Sequence, residues 1–349
     1  MGSSFELKSV TVFLLLLFVS VSGVYGESVE KNAHSSIPDI DPILILTGGS
    51  EDIRLAIESS GTKVLKAINR YEPGDDFSLP PAVAAPNSQG VTELDSLLSN
   101  SRFFVTREVN ESTPYKLFSG AYEIRNIDVR LVKDANPGAK ELRRELILIF
   151  GEDGTLLSVR FALDTFQFRR IVNNSKDNVD EYRRRLILSY LEQFRTAYNR
   201  KDIDFIEQQF SPQALIITGV KVERSDKEEL QMNTDTPEYQ YFRKSKEEYV
   251  RDLKNIFRSR KYVDVRFNDI EIKRHERYPE IYAINLYQLW NTYNITEKDG
   301  YSDEGFLFLL IDFENEDRPE IYVRVWQEDS MVEDDKSNLV DASFFDVIK

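Results

Sequence analysis

The side chains with the most chemistry to offer cluster in the last third of the chain. Tyr282 and Trp290 fall on one parity of a long apolar segment, and Tyr322, Arg324 and Trp326 on one parity of a later one, so in extended backbone each set faces a single side. Such a row of rings with one guanidinium can line a pocket for an apolar ligand, pack on a partner, or fill a core. Asp312 shares parity with Phe308 and Leu310, which can turn it toward a buried side; an acid near a strand end also meets solvent at the following turn. Tyr198 ends a helical stripe further upstream.

Other chemistries find little support. The chain has no cysteine, which removes disulfides, thiol catalysis and Cys-ligated zinc. Its two histidines are His34, in a polar leader, and His275, among Lys273, Arg274, Glu276 and Arg277 at what reads as an exposed strand end, so neither a hydrolytic triad nor a His-rich metal site is expected. No Gly-rich phosphate loop is present. The acidic run Glu328-Asp329 to Glu333-Asp334-Asp335 lacks the spaced ligands and turn glycine of a calcium loop and reads as a solvated tail. No metal and no cofactor are expected.

The formal net charge of −15 repels nucleic acid and anionic lipid, so neither is an expected partner. Lys8 precedes the apolar run Val10 to Val21, and Val24 and Gly26 offer a cleavage site before Glu27, with Gly23 as the alternative. The run is shorter than the roughly 20 residues of a membrane span. Residues 1–26 therefore read as an export signal, and the expected location is the periplasm or cell envelope of a Gram-negative bacterium. With no cysteine to carry lipid the chain is not a lipoprotein, and Glu6 breaks the myristoylation pattern. Asn110, Asn173 and Asn294 head N-glycosylation sequons, an ordinary number by chance.

At 349 residues the length favours two domains. Residues 27–49 read as a flexible leader. Residues 50–172 read as a smaller α+β domain, 173–180 as a polar linker, 181–327 as a second domain, and 328–349 as an acidic tail whose apolar end, from Leu339, docks. In the first domain Ser50 opens a helix to about Tyr71, a Pro- and Gly-rich loop follows to Gly90, and Thr92 caps a short helix. Strands are expected over 103–106, 115–118, 122–132, 141–150 and 156–163. The second domain is organised around Arg183 to Gly219. Leu186, Ile187, Tyr190, Leu191, Phe194 and Tyr198 form an apolar stripe, Asp202 caps a second helix, and Ala214 to Thr218 is a buried strand. Lys221 to Phe242 reads as a surface loop, and Ser245 with Glu248 as the capping box of a third helix. Val263, Val265 and Phe267 share one parity and Ile270 and Ile272 the other, the slip that a β-bulge supplies. Strands over 281–293, 305–313 and 321–327 complete a bent meander.

This helix–break–helix–strand opening, with its closing strands, resembles the nuclear transport factor 2-like superfamily of cystatin-like α+β cones over about residues 180 to 327. Together with the upstream half, the Tyr122–Ile127 segment and Arg195–Asn199, it looks like a family of exported bacterial proteins of unassigned function. The resemblance implies three helices closing a curved antiparallel sheet. Enzymes of the superfamily set a carboxylate or His beside a Tyr inside the cone, where apolar surroundings raise the carboxyl pKa, which makes Tyr198 and Asp312 the candidate catalytic residues. The outer sheet face commonly mediates dimers in the superfamily. Here the first half, on that face, would make a monomeric pseudo-dimer, and otherwise a homodimer is expected. Asn126-Ile127-Asp128-Val129 mirrors Asp269-Ile270-Glu271-Ile272, and the 146–163 hairpin mirrors the 307–326 hairpin, so the first half reads as a reduced cone lacking a counterpart to the 281–293 strand. The expected function is that of a non-catalytic binding or scaffold protein that takes an envelope protein or small apolar ligand. The alternative is an isomerase- or dehydratase-like enzyme with the Tyr198/Asp312 pair.

Overall fold

The computed structural model describes residues 40–132, 142–174, 178–221, 239–293, 301–329, 339–341 and 343. The expected export signal, His34, the loop near 297–300 and the acidic run from 330 lie outside the described residues.

The first half runs β1 (Ile43–Leu46), α1 (Glu51–Arg70), α2 (Gln89–Asn100), β2 (Phe103–Val105), β3 (Val109–Ser112), β4 (Tyr115–Lys116), β5 (Tyr122–Leu131), β6 (Leu142–Phe150), β7 (Leu156–Phe161) and α3 (Thr165–Val172). Its main sheet has the order β2-β5-β6-β7 and is antiparallel, and β4 pairs with the start of β5. Ile57, Val64 and Ile68 carry the expected α1 stripe into the core. Three readings change. The leader contains β1, which pairs in parallel with β3 and buries Leu44 and Leu46; a four-residue strand whose partner lies far downstream leaves no local turn signal. The second helix starts at Gln89 after Ser88 rather than at a Thr92 cap. Residues 165–172 form α3, capped by Asp164, whose carboxylate accepts from Gln167 N at 2.9 Å.

The second half runs α4 (Glu181–Arg200), α5 (Ile203–Gln209), β8 (Phe210–Lys221), β9 (Tyr239–Lys244), α6 (Lys246–Ser259), β10 (Tyr262–Arg274), β11 (Ile281–Tyr293), β12 (Tyr301–Asp312) and β13 (Glu320–Glu328). Asp202 caps α5 by accepting from Phe205 N at 3.0 Å, and the break before it places Lys201 at φ 59°. Ser245 and Glu248 form the expected capping box. The expected surface loop ends in an edge strand, β9, and 222–238 lie outside the described residues. The sheet order is β10-β11-β12-β13-β8-β9, antiparallel except for the β13–β8 pair. The bulge in β10 falls between Asn268 and Glu271, with Asp269 at φ 46°. Helices α4, α5 and α6 pack on the inner sheet face through Leu307, Leu309 and Ile311, while Phe308, Leu310, Val323 and Val325 form the outer face. Three helices thus close one face of a curved, mostly antiparallel six-stranded sheet, the α+β cone architecture expected for residues 181–327.

Helix α4 is buried on two faces. Ile187, Leu191, Phe194 and Tyr198 enter the cone; Arg184, Glu192, Arg195, Thr196, Asn199 and Arg200 are also buried, on the side toward the first half. They meet the edges of both sheets. At β7 and the residues after it, Phe161 N donates to Thr196 Oγ1 (3.2 Å), Leu163 N donates to Glu192 Oε1 (3.0 Å), and Arg195 donates to the carbonyls of Phe161 and Ala162 (2.6 and 3.0 Å). At β10, Asn199 accepts from Val265 N (2.7 Å) and donates to Val265 O (3.3 Å). Arg125 bridges Glu123 (2.6 Å) and Glu192 (2.7 Å), and Arg160 also pairs with Glu123 (2.6 Å). Burial alone would raise the Glu123 carboxyl, but Arg160 and Arg125 outweigh it and hold it below the ordinary value. Arg144 of β6 pairs with Asp264 of β10 at 2.8 Å. The first half therefore sits against α4 and β10, whereas a pseudo-dimer would place it on the outer sheet face. Leu339 is buried and Val340 packs on the outer-face cluster.

The correspondence between halves is clearer in three dimensions than in sequence. Helices α1 and α4 both have 20 residues and end in Asn-Arg, and Asn69 bridges Val105 of edge strand β2 (2.7 and 3.4 Å) as Asn199 bridges Val265. Ser101-Arg102 leads into β2, and Ser259-Arg260 stands just before β10. Strand β5 is second from the edge, the place of β11, so the elements without a counterpart are α5, β8 and β9, not the 281–293 strand. The matched segments around Asn126 (φ 65°) and Asp269 are both bulges, in strands at different sheet positions, which a four-residue pattern does not separate. Helix α3 holds both. Thr165 donates to Glu145, which accepts from Asn126 N, and the Gln167 amide oxygen, in its satisfied orientation, accepts from Asp269 N (3.0 Å).

Thr196→Val keeps the shape but removes the acceptor for the Phe161 amide. It is expected to lower stability by about 1–3 kcal/mol in denaturant titration and to speed hydrogen exchange at Phe161 more than at Val265.

Candidate functional site

The inner face of the cone is paved with rings in contact. Tyr282 packs edge-on to Phe313 (centroids 5.9 Å), Phe313 to Tyr190 (5.5 Å), Phe194 to Tyr198 (5.1 Å) and Tyr198 to Trp290 (5.5 Å). The series runs from Tyr282, fully buried, to Trp290, half-buried. The Tyr198 and Tyr249 hydroxyls lie 2.7 Å apart, and the Arg324 guanidinium stands over the Tyr249 ring at 5.2 Å.

The polar groups here are predominantly donors. Arg324 is 5% exposed, and its Nε and Nη1 are buried without a hydrogen-bond partner. The Tyr190 hydroxyl is likewise buried and unpartnered. Within the Tyr198–Tyr249 pair one proton satisfies the other oxygen, which leaves the second proton in need of an acceptor. Burial, then the neighbouring Tyr249 hydroxyl, pushes the Tyr198 phenol well above its ordinary value of 10.0, so near neutral pH it donates and does not serve as a base.

The expected site residues divide between the two sheet faces. Tyr282, Trp290 and Arg324 join Tyr198 on the inner side. Tyr322 does not share their face, because it is the extra residue where the β12–β13 register slips: Leu310 faces Val323 while Ile311 faces Ile321. Tyr322 packs on the outer cluster and donates to Asp312 at 3.1 Å, and Asp312 also accepts from Glu314 N at 2.8 Å. Asp312 thus lies on the outer face with Phe308 and Leu310, across the sheet from Tyr198. Trp326 is used in packing. Its ring lies where a Cβ on Gly219 or Gly305 would sit, beside Tyr239 (4.8 Å between centroids). His275 organises the β10–β11 turn by accepting from Arg277 N at 3.1 Å. Among the described residues no group of acids and histidines could hold a metal ion. Tyr249 and Tyr190 were legible only as members of apolar stripes; the available signal was that tyrosine, not phenylalanine, stands at three inward helical positions, 190, 198 and 249.

No family model matches the chain, and no curated protein matches it. Solved structures do. The beta subunit of benzoate 1,2-dioxygenase from Burkholderia mallei is 14% identical over 40% of this chain and 86% of its own, with a TM-score of 0.29. Aln2 from a Streptomyces species is 9% identical over 45% of this chain and 97% of its own, TM-score 0.32. ActVI-ORFA from Streptomyces coelicolor is 10% identical over 42% and 97%, TM-score 0.30.

Because the unfolded phenol ionises near pH 10 and Tyr198 in the fold does not, its contribution to stability is complete below about pH 10 and declines as pH rises above it. The alkaline decline is expected to be shallower in Tyr198→Phe than in the parent, measured by denaturant midpoints between about pH 8 and 11.

Proposed function

We propose that this is an exported, non-catalytic binding protein that takes a small molecule with an apolar body in the cone of its second half. The observation that carries the reading is the half-buried Trp290 edge-on to Tyr198, with the Tyr198–Tyr249 hydroxyls and the Arg324 guanidinium as donors beside it and Asp312 on the other face of the sheet. A Tyr/Asp acid–base mechanism needs both groups within reach of one substrate atom. With Asp312 bonded to Tyr322 and Glu314 on the outer face, the inner wall offers binding contacts in place of that pair. Export is supported by the Lys8 and Val10–Val21 pattern.

Native mass spectrometry of the chain, purified gently from the envelope fraction of cells that make it, tests the reading. The expected spectrum shows an added mass on the order of a few hundred daltons that leaves on denaturation. A bare chain from every gentle preparation would count against a cone ligand and favour a scaffold that binds protein.

A further inference from the structure

The reading above leaves open what the ligand carries at its polar end, and Arg324 answers that. We propose that the cone binds a monoanionic organic acid, its carboxylate seated on Arg324 and on the proton left over from the Tyr198–Tyr249 hydroxyl pair, with its apolar body against the aromatic wall. This inference rests on the proposed binding function and specifies its chemistry.

The argument is one of unpaired donors. Arg324 projects from the inner face of β13, opposite Leu309 of β12 and beside Ile216 of β8, both of them buried apolar residues. A guanidinium carries five N–H donors and keeps its charge at every relevant pH. Two of its nitrogens here are buried with no acceptor, and among the described residues no carboxylate pairs with it. The Tyr249 ring supplies a cation–π contact but no acceptor in the guanidinium plane. The buried arginines at the junction of the halves differ in having partners: Arg160, Arg195 and Arg200 each leave one nitrogen without a hydrogen-bond partner, but Arg125, Arg160 and Arg200 each have a carboxylate and Arg195 has two backbone carbonyls. An unpaired buried charge is among the most unfavourable arrangements a core can hold, and an anionic group with a planar pair of oxygens relieves it directly. A single charge on the ligand matches the single guanidinium. A dianionic phosphate would leave a surplus negative charge in an apolar enclosure.

The test compares phenylacetate with its uncharged isostere phenylacetamide by isothermal calorimetry on the full mature chain, with fluorescence of Trp290 and Trp326 as a second readout. The parent is expected to bind the carboxylate at least about tenfold more tightly than the amide. Arg324→Met is expected to abolish that preference, and Arg324→Lys, which keeps a point charge without the fork, to retain part of it. Circular dichroism and the denaturant midpoint of each variant separate loss of the site from loss of the fold. Equal affinity for both probes in the parent overturns the carboxylate assignment and leaves the binding function standing. Failure of both probes to bind at millimolar concentration overturns the two together.

Discussion

A β-sheet ends in two strands whose outward N–H and C=O groups need partners, and in this protein one helix, α4, serves an edge of each sheet. In the second half, β13 continues into β8 and β9, so the ladder runs on. The first half has nothing beyond β7. Its edge is completed instead by Glu93 of α2, which accepts from Val159 N, and by Thr196, Glu192 and Arg195 of α4. The same α4 completes β10, the edge of the other sheet, through Asn199. Leaving several buried backbone groups unmatched would cost about 1–3 kcal/mol each, an amount comparable in sum to the stability of a whole domain.

That requirement explains why α4 carries buried charge. A helix that covers an edge strand must present polar atoms where the ladder needs them, and those atoms must themselves be satisfied. Glu192 can accept from Leu163 N because Arg125 neutralises it, and Arg125 in turn stacks on Phe168 of α3 at 4.0 Å. Glu93 uses one oxygen for Ser158 and Val159 and the other for Arg200. Glu93, Glu123 and Glu192 are each paired with an arginine within the junction, and Arg195 is held by two backbone carbonyls, which makes the two halves interdependent. The chain also crosses between cores early. Leu163, Phe168, Val172 and Val179 all pack with the cone, so the buried side chains of α3 belong to the second core.

The elements that could be read from sequence were those with local signals. The Ser245–Glu248 box, the Asp202 cap and the parity slip in β10 each announce themselves within a few residues, and each stands as expected. What escaped reading depended on distant partners. Strand β1 makes sense only beside β3, and the charged face of α4 looks like an ordinary solvated face until β7 and β10 are brought against it. The site was half legible for a similar reason. Parity put Tyr282 with Trp290 on one strand and Tyr322 with Arg324 and Trp326 on another, but it assumed an unbroken strand, and the bulge at Tyr322 moved that ring and left it with Asp312 outside.

The distribution of aromatic residues then separates filling from recognition. Trp326 is accommodated because Gly219 and Gly305 have no Cβ, and Tyr239 lies against its ring, so its surface is spent on protein contacts. Tyr282 and Phe313 are likewise closed off deep in the core. Trp290 differs, because it remains half-buried while touching Tyr198, and Tyr198 leads through Tyr249 to Arg324. A core built only for stability would place phenylalanine where Tyr190 stands and an apolar residue at Arg324, since an unmatched hydroxyl and an unpaired guanidinium detract from stability without improving packing. On the binding function proposed above, the donors along this path meet an acceptor that comes from outside the chain.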